Sequence, residues 1–227
     1  MPRPKPLLPI DCTPLIASDI VEVRDPREMD ATSRVSQRLR REGALFSYRL
    51  QDRSLLRASF DQPIAILAGR RVGNMLICHS SNQFATQLDI QGDGINGFCF
   101  QVILQGKVRL LWSESEAIQS GADGAVLDEY PGAKILTSDV SERQNLWIKA
   151  DALEHALEGM LDERLRRRLQ FAPGVDWSTG LTASLKGQIG FLIHEATRPD
   201  GAADNPVALA SMTDLILALA RLPVFSP

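Results

Sequence analysis

The feature that most constrains the fold is a change of periodicity near residue 150. Between residues 46 and 149, apolar side chains occur in short alternating or continuous runs that glycine, proline and aspartate interrupt, a pattern typical of β-strands. After residue 149, apolar residues recur every three to four positions, which is typical of amphipathic α-helices. Because the predicted strands precede these helices instead of alternating with them, the order indicates an α+β fold.

The predicted strands are short and are separated by turn signals. Gln105-Gly106 and Gly92-Asp93-Gly94 are typical of hairpins, because glycine adopts the positive φ that such turns require. Short strands with turns about every 8–12 residues favour an antiparallel barrel or jelly roll over a parallel sheet. The predicted strands are 46–50, 54–60, 63–70, 74–80, 83–90, 97–104, 107–112, 124–128, 133–138 and 143–149.

Two further segments precede the strands. Residues 1–26 are rich in proline and are predicted to form an extended arm. Asp25 can cap a helix whose first turn accepts Pro26, and this helix is predicted to reach about Arg41.

Three helices are predicted after the strands. Asp151 and Glu154 resemble a capping box for the first helix, whose apolar positions continue to Leu165. The second helix begins after Ser178 or Thr179, and the third spans about 206–222. We therefore predict an arm and helix (1–45), a β-barrel (46–149) and a helical dimerisation subdomain (150–227).

Composition limits the functions that the chain performs. The chain has 25 lysine and arginine residues and 28 aspartate and glutamate residues, which gives a net charge of -3. We therefore do not expect this chain to bind nucleic acid by itself. Cys12, Cys78 and Cys99 form no Cys-x-x-Cys pair, which favours a reducing compartment. The proline-rich start is unlike a signal peptide, and no apolar run approaches the roughly 20 residues that span a bilayer. A cytoplasmic protein is predicted.

Catalytic and metal-binding signatures are not found in the sequence. A metal-bearing barrel needs clustered imidazoles and a carboxylate, whereas His79, His155 and His194 lie far apart in the chain. There is no Gly-x-Ser-x-Gly elbow and no phosphate-binding loop with a Lys-Ser/Thr pair. We therefore predict a protein that is not an enzyme and needs no metal or cofactor.

The basic run DERLRRR (162–168) has two readings. On a continuous helix, Asp162 with Arg166 and Glu163 with Arg167 form favourable i,i+4 pairs on a solvated face. Contact with a DNA-binding partner or with phosphate is the alternative.

The interior of a small barrel often holds one ligand. Strand alternation places Cys99, Gln101 and Ile103 on one face of the strand 97–104. Polar groups within apolar strands and aromatic rings with a polar atom are the candidates for ligand contact, namely His79, Gln101, Trp112 and Tyr130. The alternative for each of them is an ordinary core or surface side chain.

The last predicted helix has a wide apolar stripe with alanines between its larger residues. Such a stripe favours close approach of a second helix, and we predict it to be the dimer interface. Burial within the same subunit is the alternative. The interface residues are Leu209, Met212, Leu215, Ile216 and Leu219.

The linear order of these segments resembles the AraC/XylS transcription regulators that carry a cupin-like amino-terminal domain. The resemblance extends over most of residues 24–222, and its individual motifs are loose while their order and spacing are specific. The matching segments are RDPREMDATSRVSQRL (24–39), RRVGNMLICHS (70–80), GFCFQVILQGKVRL (97–110), GADGAVLDEYPG (121–132), NLWIKADALEHALEGML (145–161) and LQFAPGVDW (169–177).

The resemblance implies a cupin-like barrel that binds a small-molecule effector and helices that form a homodimer. It also implies DNA binding only through a helix-turn-helix half, which in this family follows the regulatory domain and is not seen within residues 1–227. The resemblance carries no ligand-contact motif. Two other functions stay open, a metal-free cupin-like enzyme such as an isomerase and a stand-alone partner that modulates a full-length regulator.

Overall fold

The computed structural model describes most of the chain. The described residues are 19–29, 46–90, 96–112, 115–119, 123–127, 133–171 and 174–220. The predicted turn at Gly92-Asp93-Gly94, Tyr130 and most of the predicted arm lie outside them. Of the helix predicted from Asp25 to Arg41, Pro26–Met29 is a 3-10 helix and residues 30–41 lie outside the described residues.

The described residues before Ala150 are mainly β-strands, and twelve strands are described in all. Their bounds are β1 Asp19–Val23, β2 Phe46–Leu50, β3 Ala65–Val72, β4 Met75–Asn82, β5 Thr86–Ile90, β6 Gly97–Gln105, β7 Val108–Trp112, β8 Ser115–Gln119, β9 Asp123–Leu127, β10 Lys134–Thr137, β11 Ser141–Lys149 and β12 Gly174–Asp176.

The strands form two antiparallel sheets. The large sheet has the order β1-β3-β4-β11-β6-β9-β12, and the small sheet has the order β2-β5-β10-β7-β8. Asn82 on β4 donates hydrogen bonds to Thr86 and Thr137 on the small sheet, so the two sheets face each other. This arrangement confirms the prediction of an antiparallel β architecture followed by helices.

The large sheet has two differently covered sides. On β6, Cys99 and Ile103 pack with residues of the small sheet, and we call this side the inner face. Phe98, Phe100 and Val102 pack with the helices, and we call this side the outer face. Residues 97–103 of β6 are buried without interruption because the strand is covered on both sides.

Three α-helices follow β11, and β12 lies between the first and the second of them. They are α1 Ala150–Leu161, α2 Gly180–Thr197 and α3 Pro206–Ala220. Their apolar stripes cover one end of the outer face, where Leu146, Ile148 and Phe100 lie in the same cluster as Leu185 and Ile216. None of the helices in the described part of the chain is both long and apolar enough to cross a membrane.

Several predicted elements differ from the structure. The strand predicted at 54–60 is wrong, because Arg53–Arg57 is a 3-10 helix whose first turn the Asp52 side chain caps through the Ser54 backbone N–H. The short strands β1, β8 and β12 were not among the predicted strands. The extended arm predicted to 26 includes β1, which pairs with β3 in the large sheet.

The glycine in the hairpin between β6 and β7 is required by its surroundings. Gly106 has a φ of +81°, and a Cβ there would lie 2.8 Å from both the Ser138 hydroxyl oxygen and the Val140 carbonyl oxygen. A side chain at this position would therefore disturb the turn that sets the register of the two strands.

Candidate functional site

Polar side chains gather on the inner face where β4, β11 and β6 lie side by side. The register places Cys78 of β4 opposite Asn145 of β11, and Asn145 opposite Gln101 of β6. One step along β11, Arg143 lies between Ser80 and Ile103. Residues that are opposite in an antiparallel pair share a face, so one continuous polar patch results. We call these residues, Cys78, Ser80, Gln101, Arg143 and Asn145, the inner polar patch.

Gln101 and Asn145 are joined by a hydrogen bond. The Gln101 Nε2 atom donates to the Asn145 Oδ1 atom at 3.1 Å, and the Cys99 thiol lies 3.9 Å from the same oxygen. Gln101 is only 2% exposed, so its side-chain amide is held in one orientation by a partner that it can reach. The second amide, that of Asn145, is half-buried.

Arg143 places a positive charge within this patch. The residue is 1% exposed and is among the largest fully buried side chains of the chain. Arg143 also interacts with other parts of the chain. Burial of a permanently charged group is costly in free energy unless acceptors or anions surround it.

The charge of Arg143 influences the Cys99 thiol. Burial raises the pKa of Cys99 well above its usual range, and nearby Cys78 raises it further, whereas the positive charge of Arg143 acts in the opposite direction. Cys99 therefore stays protonated and unreactive at neutral pH.

Part of the inner face is accessible from outside. Cys78, Asn145 and Trp147 are half-buried, although they lie on adjacent central strands of the large sheet and point toward the small sheet. A central inward-pointing side chain retains exposure only if open space lies in front of it. Three inward-pointing side chains at and beside the inner polar patch are therefore partly exposed to solvent.

The opposite end of the interior is closed by a second polar group. The Asn82 Nδ2 atom lies 3.1 Å from the Thr86 hydroxyl oxygen and 3.1 Å from the Ser141 hydroxyl oxygen, and the Thr86 and Thr137 hydroxyls are 2.8 Å apart. All four residues are buried. This cluster joins the two sheets at the end of the interior that lies away from Asn145 and Trp147.

The structure places two of the predicted ligand-contact residues, Gln101 and His79, on opposite faces of the large sheet. Gln101 lies on the inner face. His79 lies on the outer face, because it alternates with Cys78 along β4 and is opposite Gln144. Trp112 is the last residue of β7 in the small sheet, and Tyr130 lies outside the described residues. The sequence reasoning missed Arg143 and Asn145.

His79 has a defined environment of its own. Its Nε2 atom lies 3.4 Å from the Glu142 carboxylate, and its side chain is almost fully buried. Burial lowers the pKa of His79 below its usual value, and the positive charge of Arg143 lowers it further. His79 is thus a neutral imidazole at neutral pH, on the side of the sheet away from the inner polar patch.

The predicted dimer-interface residues lie on more than one side of α3. Met212 and Ile216 are buried in the chain's own core, and Leu209 and Leu219 are half-buried against it. Leu215 is 44% exposed. Of this set, Leu215 is therefore the residue most available to a second subunit.

The basic run does not continue the first helix. α1 ends at Leu161, and Asp162 caps it in the left-handed conformation with a φ of 52°. The predicted i,i+4 pairs on a helix are therefore wrong, and the described ion pair is an exposed one between Arg166 and Glu163 at 3.7 Å.

The segment after α1 is held by two glutamates. The Glu158 carboxylate accepts a hydrogen bond from the Leu165 backbone N–H at 2.9 Å, and the Glu154 carboxylate accepts one from that of Leu169 at 3.1 Å. These two residues also border an open depression of about 520 Å³ beside α1, lined by Asn74, Lys149, Asp151, Ala152, Glu154, His155 and Glu158. Because the two carboxylates serve a structural role, this depression is a weaker candidate than the inner polar patch.

The described residues contain no group of three or more histidine, cysteine, aspartate or glutamate side chains arranged to hold a metal ion. The two described cysteines, Cys78 and Cys99, are free thiols. The donors of the inner polar patch are amides, a hydroxyl, a thiol and a guanidinium, which suit hydrogen bonding to an organic molecule better than coordination of a metal.

Comparison with known proteins gives one family and a set of similar folds. The sequence model of the AraC-binding-like domain matches residues 43–219. The crystal structure of the AraC-like transcriptional activator CuxR is similar over 92% of this chain and 72% of that chain, with a TM-score of 0.59 and 14% sequence identity. At that identity the likeness is one of fold.

More distant structures overlap with a smaller part of the chain. The cupin domain of an XRE-family transcriptional regulator from Enterobacter cloacae covers 37% of this chain and 96% of its own, with a TM-score of 0.32 and 4% identity. No curated protein matches the sequence.

Proposed function

Because the chain belongs to the AraC-binding-like domain family, we propose that it is the regulatory domain of a bacterial transcription regulator that senses a small molecule between its two sheets. The observation that carries this proposal is the inner polar patch, with half-buried Asn145 and Cys78 beside buried Gln101 and Arg143. A sandwich that serves only as a scaffold gains stability from apolar side chains at such positions. Polar groups in front of an accessible space are instead typical of ligand sites.

The strand that carries Arg143 and Asn145 also provides a path to the helices. β11 ends at Lys149, and α1 begins at the next residue, Ala150. The core formed by α1, α2 and α3 lies on the outer face of the same strand, where Leu146 and Ile148 alternate with Asn145. A ligand that displaces β11 therefore changes the surface on which the helices pack.

The regulatory effect requires two arrangements of the helices. A ligand shifts the balance between them only as far as it binds one arrangement more tightly than the other. We propose that the helices form a homodimer and that DNA is bound only through helix-turn-helix units attached to the regulatory domain. The net charge of -3 supports a role for this chain in sensing instead of direct DNA contact.

The test of effector binding is a thermal-shift screen of the purified chain against aromatic acids, sugars and amines. A true effector raises Tm and slows alkylation of Cys78, which faces the same space as Asn145. The Asn145→Leu variant is expected to lose the shift. Gln144→Leu, on the same strand but the outer face, is the matched control and is expected to keep it. Binding that is unaffected by Asn145→Leu, or that leaves Cys78 equally reactive, contradicts the proposed site.

The test of the dimer surface uses the exposed residue of α3. Leu215→Asp places a charge on an apolar surface and is expected to give monomers in sedimentation without loss of helical structure, because Leu215 does not belong to the buried core. Leu181→Asp, at an exposed position of α2, is the control. Dimers that persist in Leu215→Asp and dissociate in Leu181→Asp place the interface on α2 instead of α3.

A further inference from the structure

We propose that Arg70 is an ionic latch that fixes the connection between α2 and α3 to the large sheet, and that release of this latch lets the start of α3 move away from the sheet. The connection, residues 196–204, includes the last two residues of α2 and the 3-10 helix Ala202–Asp204. The inference deepens the proposed function and rests on it for what the movement controls. The movement itself requires no ligand, so it is tested on the chain alone.

Arg70 joins the sheet to both parts of the connection. It lies on β3 opposite Ile77 of β4, which places it on the outer face. Its guanidinium donates hydrogen bonds to the Ala196 backbone carbonyl, in the last turn of α2, and to the Asp204 carboxylate. A cation at the carboxyl end of a helix satisfies a carbonyl that has no partner within the helix and lies at the negative end of the helix dipole. We call these two contacts the Arg70 latch.

The connection has little apolar surface to hold it in place. Its sequence is ATRPDGAAD (196–204), with no apolar side chain larger than proline. Within it, the Ala202 backbone N–H donates a hydrogen bond to the Glu195 carboxylate at 2.7 Å. Because burial of large apolar side chains is the main source of stability, the connection depends on polar contacts more than the rest of α2 and α3 does.

The other end of α2 is fixed differently. Trp177, three residues before the helix, is 2% exposed, and its indole Nε1 donates a hydrogen bond to the Gln101 backbone carbonyl at 3.0 Å. The indole fills the space beside Gly124 of β9, where a Cβ would lie 1.5 Å from Nε1. Removal of a closely packed aromatic ring from such a site is costly in free energy, so the amino-terminal end of α2 stays on the sheet.

The two attachments therefore open at different cost. The side chains of Arg70 and Asp204 are 22% and 44% exposed, so water and salt compete for both partners. Contacts of this kind break at a lower free energy than the packing of a buried ring. The end of α2 at the Arg70 latch is expected to open first, while the end at Trp177 stays in place.

The position of Arg70 links the inner polar patch to α3. Gly69, its neighbour on β3, is opposite Cys78 of the patch, so a displacement of β4 by a ligand also displaces Arg70. At the other end of the link, α3 begins at Pro206, two residues after Asp204. The Arg70 latch thus provides the two arrangements of the helices, closed and open, that the proposed function requires.

The experiment measures backbone amide hydrogen exchange by mass spectrometry in the native chain and in Arg70→Gln. We expect Arg70→Gln to speed exchange in residues 196–209 by about tenfold or more, because two charge-assisted hydrogen bonds are lost. Exchange in β6 and in the first turns of α2 is expected to change by less than about threefold, since local opening leaves them protected. Arg71→Gln, at the exposed next residue of β3, is the control and is expected to exchange as the native chain does.

Salt gives a second readout that a merely structural role of Arg70 does not move. Raising NaCl from about 0.05 M to about 1 M screens an exposed ion pair. This change is expected to speed exchange in the connection of the native chain, and to have a smaller effect in Arg70→Gln. If Arg70→Gln does not fold, Asp204→Asn, which keeps the hydrogen bond to the Ala196 carbonyl, is expected to speed exchange there by about threefold.

The outcomes separate the latch from the proposed function. Unchanged exchange in the connection, or an equal increase in the connection and in β6, overturns the latch. Equal salt effects in the native chain and in Arg70→Gln also overturn it. An effector that binds while the connection of Arg70→Gln exchanges at the native rate contradicts only the latch. Local opening as expected, with no screened compound bound, supports the latch and contradicts effector sensing.

Discussion

The two faces of the large sheet carry opposite chemistry although the same strands supply both. On the outer face of β6 and β11, Phe98, Phe100, Leu146 and Ile148 are buried against the helices. On the inner face, several of the residues that alternate with them are polar, namely Gln101, Arg143 and Asn145. Because side chains of a strand alternate between faces, adjacent residues in the sequence serve different purposes.

The difference between the faces is also one of free energy. Burial of a large apolar side chain stabilises the folded state by about 1.5–3 kcal/mol, and the outer face contains many such side chains. Buried amides and a buried guanidinium contribute much less, because their lost hydration offsets their hydrogen bonds. The inner face also contains buried apolar side chains such as Cys99 and Ile103, so the contrast in stability concerns the inner polar patch and not the whole inner face.

The largest test of this comparison removes an aromatic ring from the outer face. Phe100 is 0% exposed, and its ring centroid lies 5.6 Å from that of Phe171 in an edge-to-face arrangement. Phe100→Ala is expected to lower the free energy of unfolding by about 3–5 kcal/mol, measured by urea denaturation, because it leaves a cavity. Cys99→Ala, the next residue on the inner face, is the control, with an expected loss of about 1 kcal/mol. A similar loss of unfolding free energy in both variants contradicts the proposed difference between the two faces.

A second test replaces the hydrogen-bonded amides of the inner face. Gln101→Leu removes the donor to Asn145 Oδ1 and is expected to cost about 1 kcal/mol. The double variant Gln101→Leu/Asn145→Leu is expected to be as stable as the native chain or more stable, because no polar atom of the pair is left without its partner. A double-mutant cycle of unfolding free energies measures this coupling. A double variant that loses more than the two single variants together shows that the amides stabilise the fold.

The part of the fold that sequence predicts best is the set of long, strongly patterned elements. β4, β6 and β11 lie within two residues of their predicted bounds, and α2 and α3 follow the predicted second and third helices. These elements are buried on one or both sides, and their apolar residues therefore follow the period of a strand or of a helix. The sequence does not predict which strands pair with each other. For example, β1 pairs with β3 although more than 40 residues separate them in the chain, and a local pattern holds no information on such contacts.

Local competition explains the elements that were predicted wrongly. The residues 54–60 are apolar enough for a strand, but Asp52 caps a 3-10 turn through Ser54. The first helix ends earlier than its apolar pattern because Glu154 and Glu158 bind the backbone of residues 169 and 165. In both cases a side-chain acceptor satisfies backbone N–H groups that a regular element would otherwise use.

The candidate site shows the same limit. Alternation along β6 placed Gln101 on one face together with Cys99 and Ile103, as the structure has it. Polarity within an apolar strand makes His79 a candidate, but only the register of β4 against β11 fixes its face. Arg143 and Asn145 were missed, because polar residues occupy consecutive positions on both faces of β11 from Ser141 to Asn145. Pairing β11 with β6 is what joins these residues to Gln101.

The smallest expected effect concerns His79, the buried imidazole on the outer face. Burial lowers its pKa, and Arg143 on the other face lowers it further. The folded state therefore binds the proton less readily than the unfolded chain, in which a histidine titrates near about 6.5. Stability is present above that pH and is lost as the pH falls through the lower pKa of the folded state.

We expect His79→Gln to reduce the loss of unfolding free energy between pH 7 and pH 5 by about 1 kcal/mol or less, measured by urea denaturation at each pH. His155→Gln, at an exposed position of α1, controls for removal of a histidine.

Arg143→Lys keeps the positive charge and is expected to preserve the native pH dependence, whereas Arg143→Gln is expected to weaken it, because the pKa of His79 then rises toward its usual value. A pH dependence that changes with Arg143→Gln means that the two faces are coupled through the sheet by charge. One that changes only with His79→Gln means that they act independently.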